Sequence, residues 1–223
     1  MSAVVPARDE ADRVGRTVRS LRRIAGVREV VVVDDGSTDA TAWVARRAGA
    51  RLVRLSRCGG KASALYLGAR AARGDVLLLA DADLAESAGA LADLCGPVVD
   101  GQADVVVGVP GPGGDGGIGL VRAVAGWGSE TLGGTRLAAP LCGQRALRAA
   151  VAPWLLSRAA RGYGIETYIN VQAGRRRLRV VQRPIRIRHR RYGRGPAGWL
   201  HRARQLGDVL VTLVQLAGER TGR

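Results

Sequence analysis

Residues 29–39 read EVVVVDDGSTD. Val30 to Val33 are β-branched and apolar throughout, a run too short for most helices, and they read as a strand buried on both faces. Asp34 to Asp39 then form a polar turn into a helix, with Ser37, Thr38 or Asp39 as its candidate N-cap. The pattern repeats outward in both directions. Upstream, Ala3-Val4-Val5 is an apolar run stopped by Pro6, and Val14, Val18 and Leu21 recur at helical spacing with arginines on the other face. Downstream, Arg51 to Leu55 reads as a third strand, Gly59-Gly60 as a loop and Lys61 to Ala72 as a helix. Val76 to Ala80 (VLLLA) is a fourth strand, ending on Asp81-Ala82-Asp83. Strands alternating with helices of this length build βαβ units, hence an α/β fold with a mostly parallel sheet flanked by helices. Ligands of such sheets sit beyond the carboxyl ends of the strands. Pro6 to Glu10, Asp34-Asp35, Cys58 to Lys61 and Asp81 to Asp83 all fall there, so four polar clusters are expected to converge on one crevice.

The second half is less regular. Ala103 to Val109 reads as a strand, and Pro110 to Gly117 (PGPGGDGG) is too rich in glycine to order itself and is expected to be a mobile loop. Ile118 to Leu132 is a helix candidate, and Gly162 to Glu166 opens another that reaches Ala173. Leu178 to Val181 and Ile185 to His189 read as two strands. Pro196 to Glu219 reads as an amphipathic helix with Leu200, Ala203, Leu206, Leu210, Leu213 and Val214 on one face. No repeat or linker divides the chain, so 1–223 is expected to be one domain with halves 1–110 and 111–195 and a C-terminal helix over 196–223.

Composition narrows the classes. Hydrophobic residues make up 47% of the 223, enough for a real core, and with no Phe that core must be aliphatic. The net charge is +16, but all of the 35 basic residues except Lys61 are Arg. A bias of that kind weakens basicity as a sign of a polyanionic partner, and it makes Lys61 informative, because Lys offers a compact ammonium that Arg does not. Cys58, Cys95 and Cys142 are scattered with no C-x-x-C, which argues for a reducing cytosol and against a disulfide framework. Acidic residues come too early for a signal peptide. The apolar stretch Val209 to Leu216 is interrupted by Thr212 and Gln215, so nothing reaches the ~18 apolar residues of a membrane span. A cytoplasmic protein is expected, with peripheral contact to the inner face of the membrane as an open addition.

Asp81 and Asp83, separated by one small residue after a buried strand, are either a solvated strand-end turn or an oxygen-ligand pair for Mg²⁺ or Mn²⁺, which complete their shells with phosphate oxygens. Two such carboxylates repel unless a cation lies between them. Asp34-Asp35 offers one carboxylate for a turn and one that can accept from the N–H of a base. Lys61, after two glycines at a helix start, can meet a diphosphate together with backbone N–H groups. The Walker A spacing is absent.

VVPARDE, VVVDDGSTD, GGKASAL and VLLLADADL, in this order, resemble the nucleotide-binding half of family 2 glycosyltransferases, which have the GT-A fold, over roughly the first 110 residues. The resemblance implies a donor-binding set of Pro6, Ala7, Arg8, Glu10, Asp35, Lys61, Asp81 and Ala82, with Asp35 on the base, Lys61 on the pyrophosphate or base, and Asp81 on the ribose or metal-bound phosphate. It implies Asp83 as direct ligand to Mn²⁺ or Mg²⁺. Asp9 departs from the family's usual Asn. Further on, Pro140 to Arg145 (PLCGQR) and Arg161 to Glu166 (RGYGIE) followed by Arg188-His189-Arg190 are similar to acceptor-side segments of glucosyl-3-phosphoglycerate synthases. By that analogy His189 is a third metal ligand; otherwise it is a surface histidine. Glu166 is the candidate catalytic carboxylate, either as base towards the acceptor hydroxyl or as a group that orients it.

The reading that follows is a metal-dependent transfer of a hexose from a UDP- or GDP-sugar to an anionic acceptor, such as a phosphoglycerate or a polyprenyl phosphate. The arginines from 175 to 194 are either a site for such an anion or a solvated basic face. A processive polymerase is disfavoured, since Q-x-x-R-W is absent. A sugar-1-phosphate nucleotidyltransferase would begin with a G-x-G-x-R loop, which VVPARDE does not offer. A basic module binding membrane or polyanion without catalysis remains an alternative; nucleic acid is not expected, because few aromatics interleave the basic stretch.

Overall fold

The computed structural model describes residues 1–111, 119–157, 160, 162–188 and 196–221, with side chains from 203 to 219 in the last of these. The elements run β1 (Ser2–Ala7), α1 (Val14–Arg22), β2 (Glu29–Asp34), α2 (Thr41–Arg47), β3 (Arg51–Arg54), α3 (Gly60–Ala71) and β4 (Val76–Leu79). A kinked 3₁₀ segment (Ala82–Leu94) follows, then α4 (Gly96–Val99), β5 (Val105–Pro110), α5 (Gly119–Gly133), β6 (Arg145–Arg148), α6 (Ala152–Leu155), α7 (Ile165–Arg175), β7 (Val180–Ile185) and α8 (Pro196–Thr221). Short 3₁₀ turns precede α6 and α7.

One seven-stranded sheet has the order β3-β2-β1-β4-β6-β5-β7. All neighbours are parallel except at β6, which runs antiparallel to both β4 and β5. The valines of β2 and the leucines of β4 are buried on both faces, as the apolar runs predicted. Helix α1 turns Val14, Val18 and Leu21 inward and Arg16, Arg19 and Arg22 to solvent. Helix α3 approaches the sheet at Gly68, where a Cβ would collide with Val4. Helix α7 is buried along nearly its whole length, packed against α5 and α8 and tied to β6 through Arg145.

Four expectations need correction. Strand β6 was not anticipated: RALR is short and bounded by arginines, so no period marks it. Of the two late strands only one forms, β7, which pairs through Pro184 to Val109 and ends at Ile185; residues 186–188 lie in no strand, and His189 is outside the described residues. β7 is an edge strand, and proline is tolerated there because no further ladder needs its missing N–H. The helix after the Asp34–Asp39 turn starts at Thr41 with Ala40 as N-cap, so none of Ser37, Thr38 or Asp39 caps it, although Asp39 still accepts from the Thr41 N–H at 2.9 Å. The expected apolar face of α8 is split. Leu213 is buried with Val209, Thr212 and Leu216, whereas Ala203, Leu210 and Val214 face solvent; the side chain of Leu200 lies outside the described residues. The loop expected over 110–117 lies largely outside them as well. The three cysteines are free thiols, with Cys58 exposed and the other two buried. No helix among the described residues is long and apolar enough to cross a membrane.

Candidate active site

The reversal of β6 builds the site. Because β6 runs against β4, it starts where β4 ends: Arg145 pairs with Leu79, and the residues before Arg145 meet those after Leu79. Asp81 and the segment Gly143-Gln144 therefore share the carboxyl edge of the parallel strands with Asp35 and Lys61.

Lys61 is the centre. Its Nζ lies 2.8 Å from Asp81 Oδ1 and 2.7 Å from Glu166 Oε1. Burial opposes its charge, but Asp81 and Glu166 outweigh that, and its pKa stands above the ordinary lysine value. Glu166 is buried in the first turn of α7, so motifs from the first and second halves of the chain are joined through one ammonium. Gln144, fully buried, faces Asp81 with its whole amide: Nε2 donates to Asp81 Oδ2 at 2.6 Å, and Oε1 accepts from the Asp81 N–H at 3.1 Å. Arg145 is buried beneath. Its guanidinium donates to Asn170 Oδ1 (2.7 Å), the Cys142 carbonyl (3.0 Å), the Pro140 carbonyl (3.3 Å) and the Glu166 carbonyl (3.5 Å). Burial lowers its pKa, partly offset by Glu166; a guanidinium starts so high that it stays charged.

Asp34 and Asp35 divide the work. Asp34 shapes the turn, accepting from the Ser37 N–H at 3.1 Å and pairing with Arg54 at 3.2 Å. Asp35 accepts from the Gly59 N–H (2.6 Å) and the Gly60 N–H (2.9 Å), so it ties down the loop that leads into Lys61. The Cys58 thiol lies 3.4 Å from Asp35 Oδ2 and 2.6 Å from Arg8 Nη1, which brings Arg8 to the same rim. Pro6 and Ala7 end β1, and the Ala7 carbonyl accepts from the Asp35 N–H at 2.9 Å. The Glu10 N–H donates to Thr41 Oγ1 at 2.8 Å. Asp9 has φ +52°, a conformation that Asp and Asn tolerate, and its Oδ1 accepts from the Thr38 N–H at 2.8 Å, as an Asn carbonyl could.

Ala82 is buried and its carbonyl accepts from Thr17 Oγ1 at 2.7 Å, while the same hydroxyl accepts from the Ala85 N–H at 2.8 Å. Thr17 thus holds the turn that carries Asp83, and Arg13 Nη1 reaches the Asp83 carbonyl at 3.3 Å. Among the described residues no three His, Cys, Asp or Glu side chains cluster to hold a metal ion. Asp81 is engaged by Lys61 and Gln144. An all-oxygen set of Asp83 with diphosphate oxygens fits Mg²⁺ or Mn²⁺. His189 lies outside the described residues.

Sequence reasoning missed the roles of Gly143, Gln144 and Arg145. PLCGQR was noticed, but only the reversed strand gives these residues their partners. A Cβ on Gly143 would lie 2.7 Å from Lys61 Nζ and 3.2 Å from both Asp81 Oδ2 and Glu166 Oε1. Gly143→Ala is therefore expected to push the ammonium aside and raise the donor Kd about tenfold. Calorimetry checks this; an unchanged Kd would mean that Lys61 relaxes without consequence.

Comparisons with known proteins agree with this geometry. The profile of glycosyl transferase family 2 matches residues 2–135. A glucosyl-3-phosphoglycerate synthase of Mycolicibacterium paratuberculosis is 38% identical over 93 residues, covering 38% of this chain and 28% of that protein. A 4,4'-diaponeurosporenoate glycosyltransferase of Staphylococcus haemolyticus is 36% identical over 90 residues, covering 38% and 24%. The matched stretch thus spans under a third of either relative. Among solved structures, glucosyl-3-phosphoglycerate synthase from Mycobacterium tuberculosis in complex with Mn²⁺, uridine diphosphate and phosphoglyceric acid aligns with a TM-score of 0.78 and 26% identity, covering 97% of this chain and 78% of that one. The GT-A-type α/β fold follows.

Proposed function

The chain belongs to glycosyl transferase family 2, and from that premise we propose that it transfers a hexose from a nucleoside diphosphate sugar, UDP-linked in the first instance, to a small anionic acceptor. The observation that carries this is the ammonium of Lys61 shared between Asp81 and Glu166. Residues 1–110 hold the donor and 111–195 the acceptor. Asp35, with Pro6, Ala7, Arg8 and Glu10, lines the nucleoside side, and Lys61 turns to the diphosphate. Asp83 would hold Mn²⁺ or Mg²⁺, which when bound offsets the charge of the departing diphosphate.

Drawing Lys61 towards the diphosphate releases Glu166, whose carboxylate then meets the acceptor hydroxyl. The hydroxyl oxygen attacks C1 of the sugar, its proton passes to Glu166, and the C1–O bond to the diphosphate breaks with the electron pair leaving on the diphosphate.

An anionic acceptor is supported by Arg186 and Arg188, both exposed beyond the carboxyl end of β7 and so on the site's edge of the sheet. Residue 188 is tied to that edge, since its N–H donates to Ser87 Oγ at 3.0 Å, shortly after Asp83 in the chain. A second reading, an acceptor carried on a lipid at the inner membrane surface, is favoured by the solvent-facing Leu210, Val211 and Val214 of α8. A screen for UDP and GDP release, using small phosphates in one arm and lipid phosphates in vesicles in the other, separates the two. Asp83→Ala is expected to remove the Mn²⁺ dependence of UDP binding, measured by calorimetry with and without the metal. Metal-dependent binding that survives in the variant excludes Asp83 as ligand, and no binding by the unaltered protein in either condition overturns the proposal.

A further inference from the structure

We infer that Gln144 is a positioning residue for the donor site: it sets the Asp81 carboxylate opposite Lys61, and the inference rests on the donor reading above only for its effect on binding. Three observations carry it. First, the contact uses both ends of one amide. The amide nitrogen must face the carboxylate and the amide oxygen the backbone N–H, since the reverse would set two acceptors and two donors against each other. Second, Gln144 is fully buried, so water cannot substitute for either bond.

Third, the contact continues the sheet. The backbone ladder of β4 and β6 runs from Val76–Arg148 to Leu79–Arg145 and stops there. Beyond it the side-chain amide of Gln144 takes the place of a peptide group, accepting from the Asp81 N–H as a strand carbonyl would. The Gln144 backbone is itself held, because its carbonyl accepts from the Gly108 N–H of β5 at 3.0 Å. Asp81 is thus located by a rigid sheet on one side and by the ammonium on the other. Lys61 alone could not do this, because an ammonium attracts a carboxylate without fixing its plane.

The groups around the contact are Lys61 from α3, Glu166 from α7, and Arg145 from the next position of β6. None of them offers Asp81 a second planar partner. Gln144→Met keeps the volume and removes both hydrogen bonds. It should leave the Asp81 carboxylate without its planar partner and free to rotate about its contact with Lys61.

The test is a double-mutant cycle on UDP binding with Mn²⁺, using Gln144→Met, Asp81→Asn and the pair. Gln144→Met is expected to raise the UDP Kd about tenfold in the unaltered background and by less than about twofold in the Asp81→Asn background. Thermal melts of all four proteins separate loss of fold from loss of positioning, because a purely structural role lowers Tm and affinity equally in both backgrounds. Equal losses in the two backgrounds therefore overturn the inference. A donor-free readout stands beside the cycle. In Gln144→Met the Asp81 amide should exchange with deuterium at least about tenfold faster, and a crystal structure should show its carboxylate rotated about the Lys61 contact. An unmoved carboxylate and unchanged exchange reject the inference. Absence of UDP binding by the unaltered protein rejects the donor reading instead and leaves that second readout decisive.

Discussion

Lys61→Met is expected to reduce UDP release from a UDP-hexose by about 10²- to 10³-fold, the range found when one group aimed at developing charge is removed. With the ammonium gone, Asp81 and the buried Glu166 lose the cation that both touch, within 2.8 Å, and on the proposed reading the diphosphate loses a positive charge as well. The fold should suffer too. Removing one member of a buried ion pair costs about 3 kcal/mol, or about 10 °C in Tm for a chain of this size.

Asp81 and Glu166 hold the pKa of Lys61 above its ordinary value, so the stability that this pairing contributes is fully present below the unfolded lysine pKa and is lost only as pH rises through the folded one. The Tm deficit of Lys61→Met should therefore stay constant from about pH 7 to about pH 9. A deficit that shrinks over that range, measured by calorimetric melts, would show that the ammonium is not held by the two carboxylates. Lys61→Arg should not rescue transfer, because a planar fork does not fit beside Gly143, where even a methyl group comes within 2.7 Å of Nζ.

Arg145→Met is the second large effect, and it acts on the fold first. The buried guanidinium satisfies the side chain of Asn170 and carbonyls of Pro140, Cys142 and Glu166. Methionine fills much of the volume but takes the guanidinium away from Asn170 Oδ1 and the Cys142 carbonyl, while the Pro140 carbonyl keeps its bond from Asn170 Nδ2 at 2.9 Å. A loss of about 3 kcal/mol is expected, seen as a Tm about 10 °C lower. Because Arg145 ties the loop before β6 to α7, Glu166 should lose its register against Lys61, and kcat should fall more than donor affinity. Arg145→Lys should recover little, since one ammonium cannot span acceptors on two elements. A variant with unchanged Tm would mean that water replaces the guanidinium.

The first half of the chain was legible because its signals are local. Val30 to Val33 and Val76 to Leu79 are buried runs that only strands of this length explain, and the rule that ligands gather at strand ends directed attention to the edge that carries Asp35, Lys61 and Asp81. The second half was not legible, because its information is in the pairing. Arg145 is a residue type rarely buried completely, and only the sheet reveals it as a structural cation. Gln144 carries no charge and belongs to no spacing pattern. Two late strands were read where one forms, because the alternation of apolar and basic residues continues past Ile185, where β7 ends. Helix α8 is apolar on two faces, so periodicity alone could not say which one meets α5.

The inverted strand has one more implication. Side chains alternate across a sheet, and continuing the ladder sets Gln144 level with Ala80 and Gly143 level with Asp81, so sliding β6 by a single residue against β4 would turn Gln144 to the opposite face and bring Cys142 or Gln144 itself level with Asp81. The four-pair ladder thus works as an index mark. The connections on either side of it can lengthen or shorten over evolutionary time, but the count from Arg148 back to Gln144 cannot change without unsetting the chemistry.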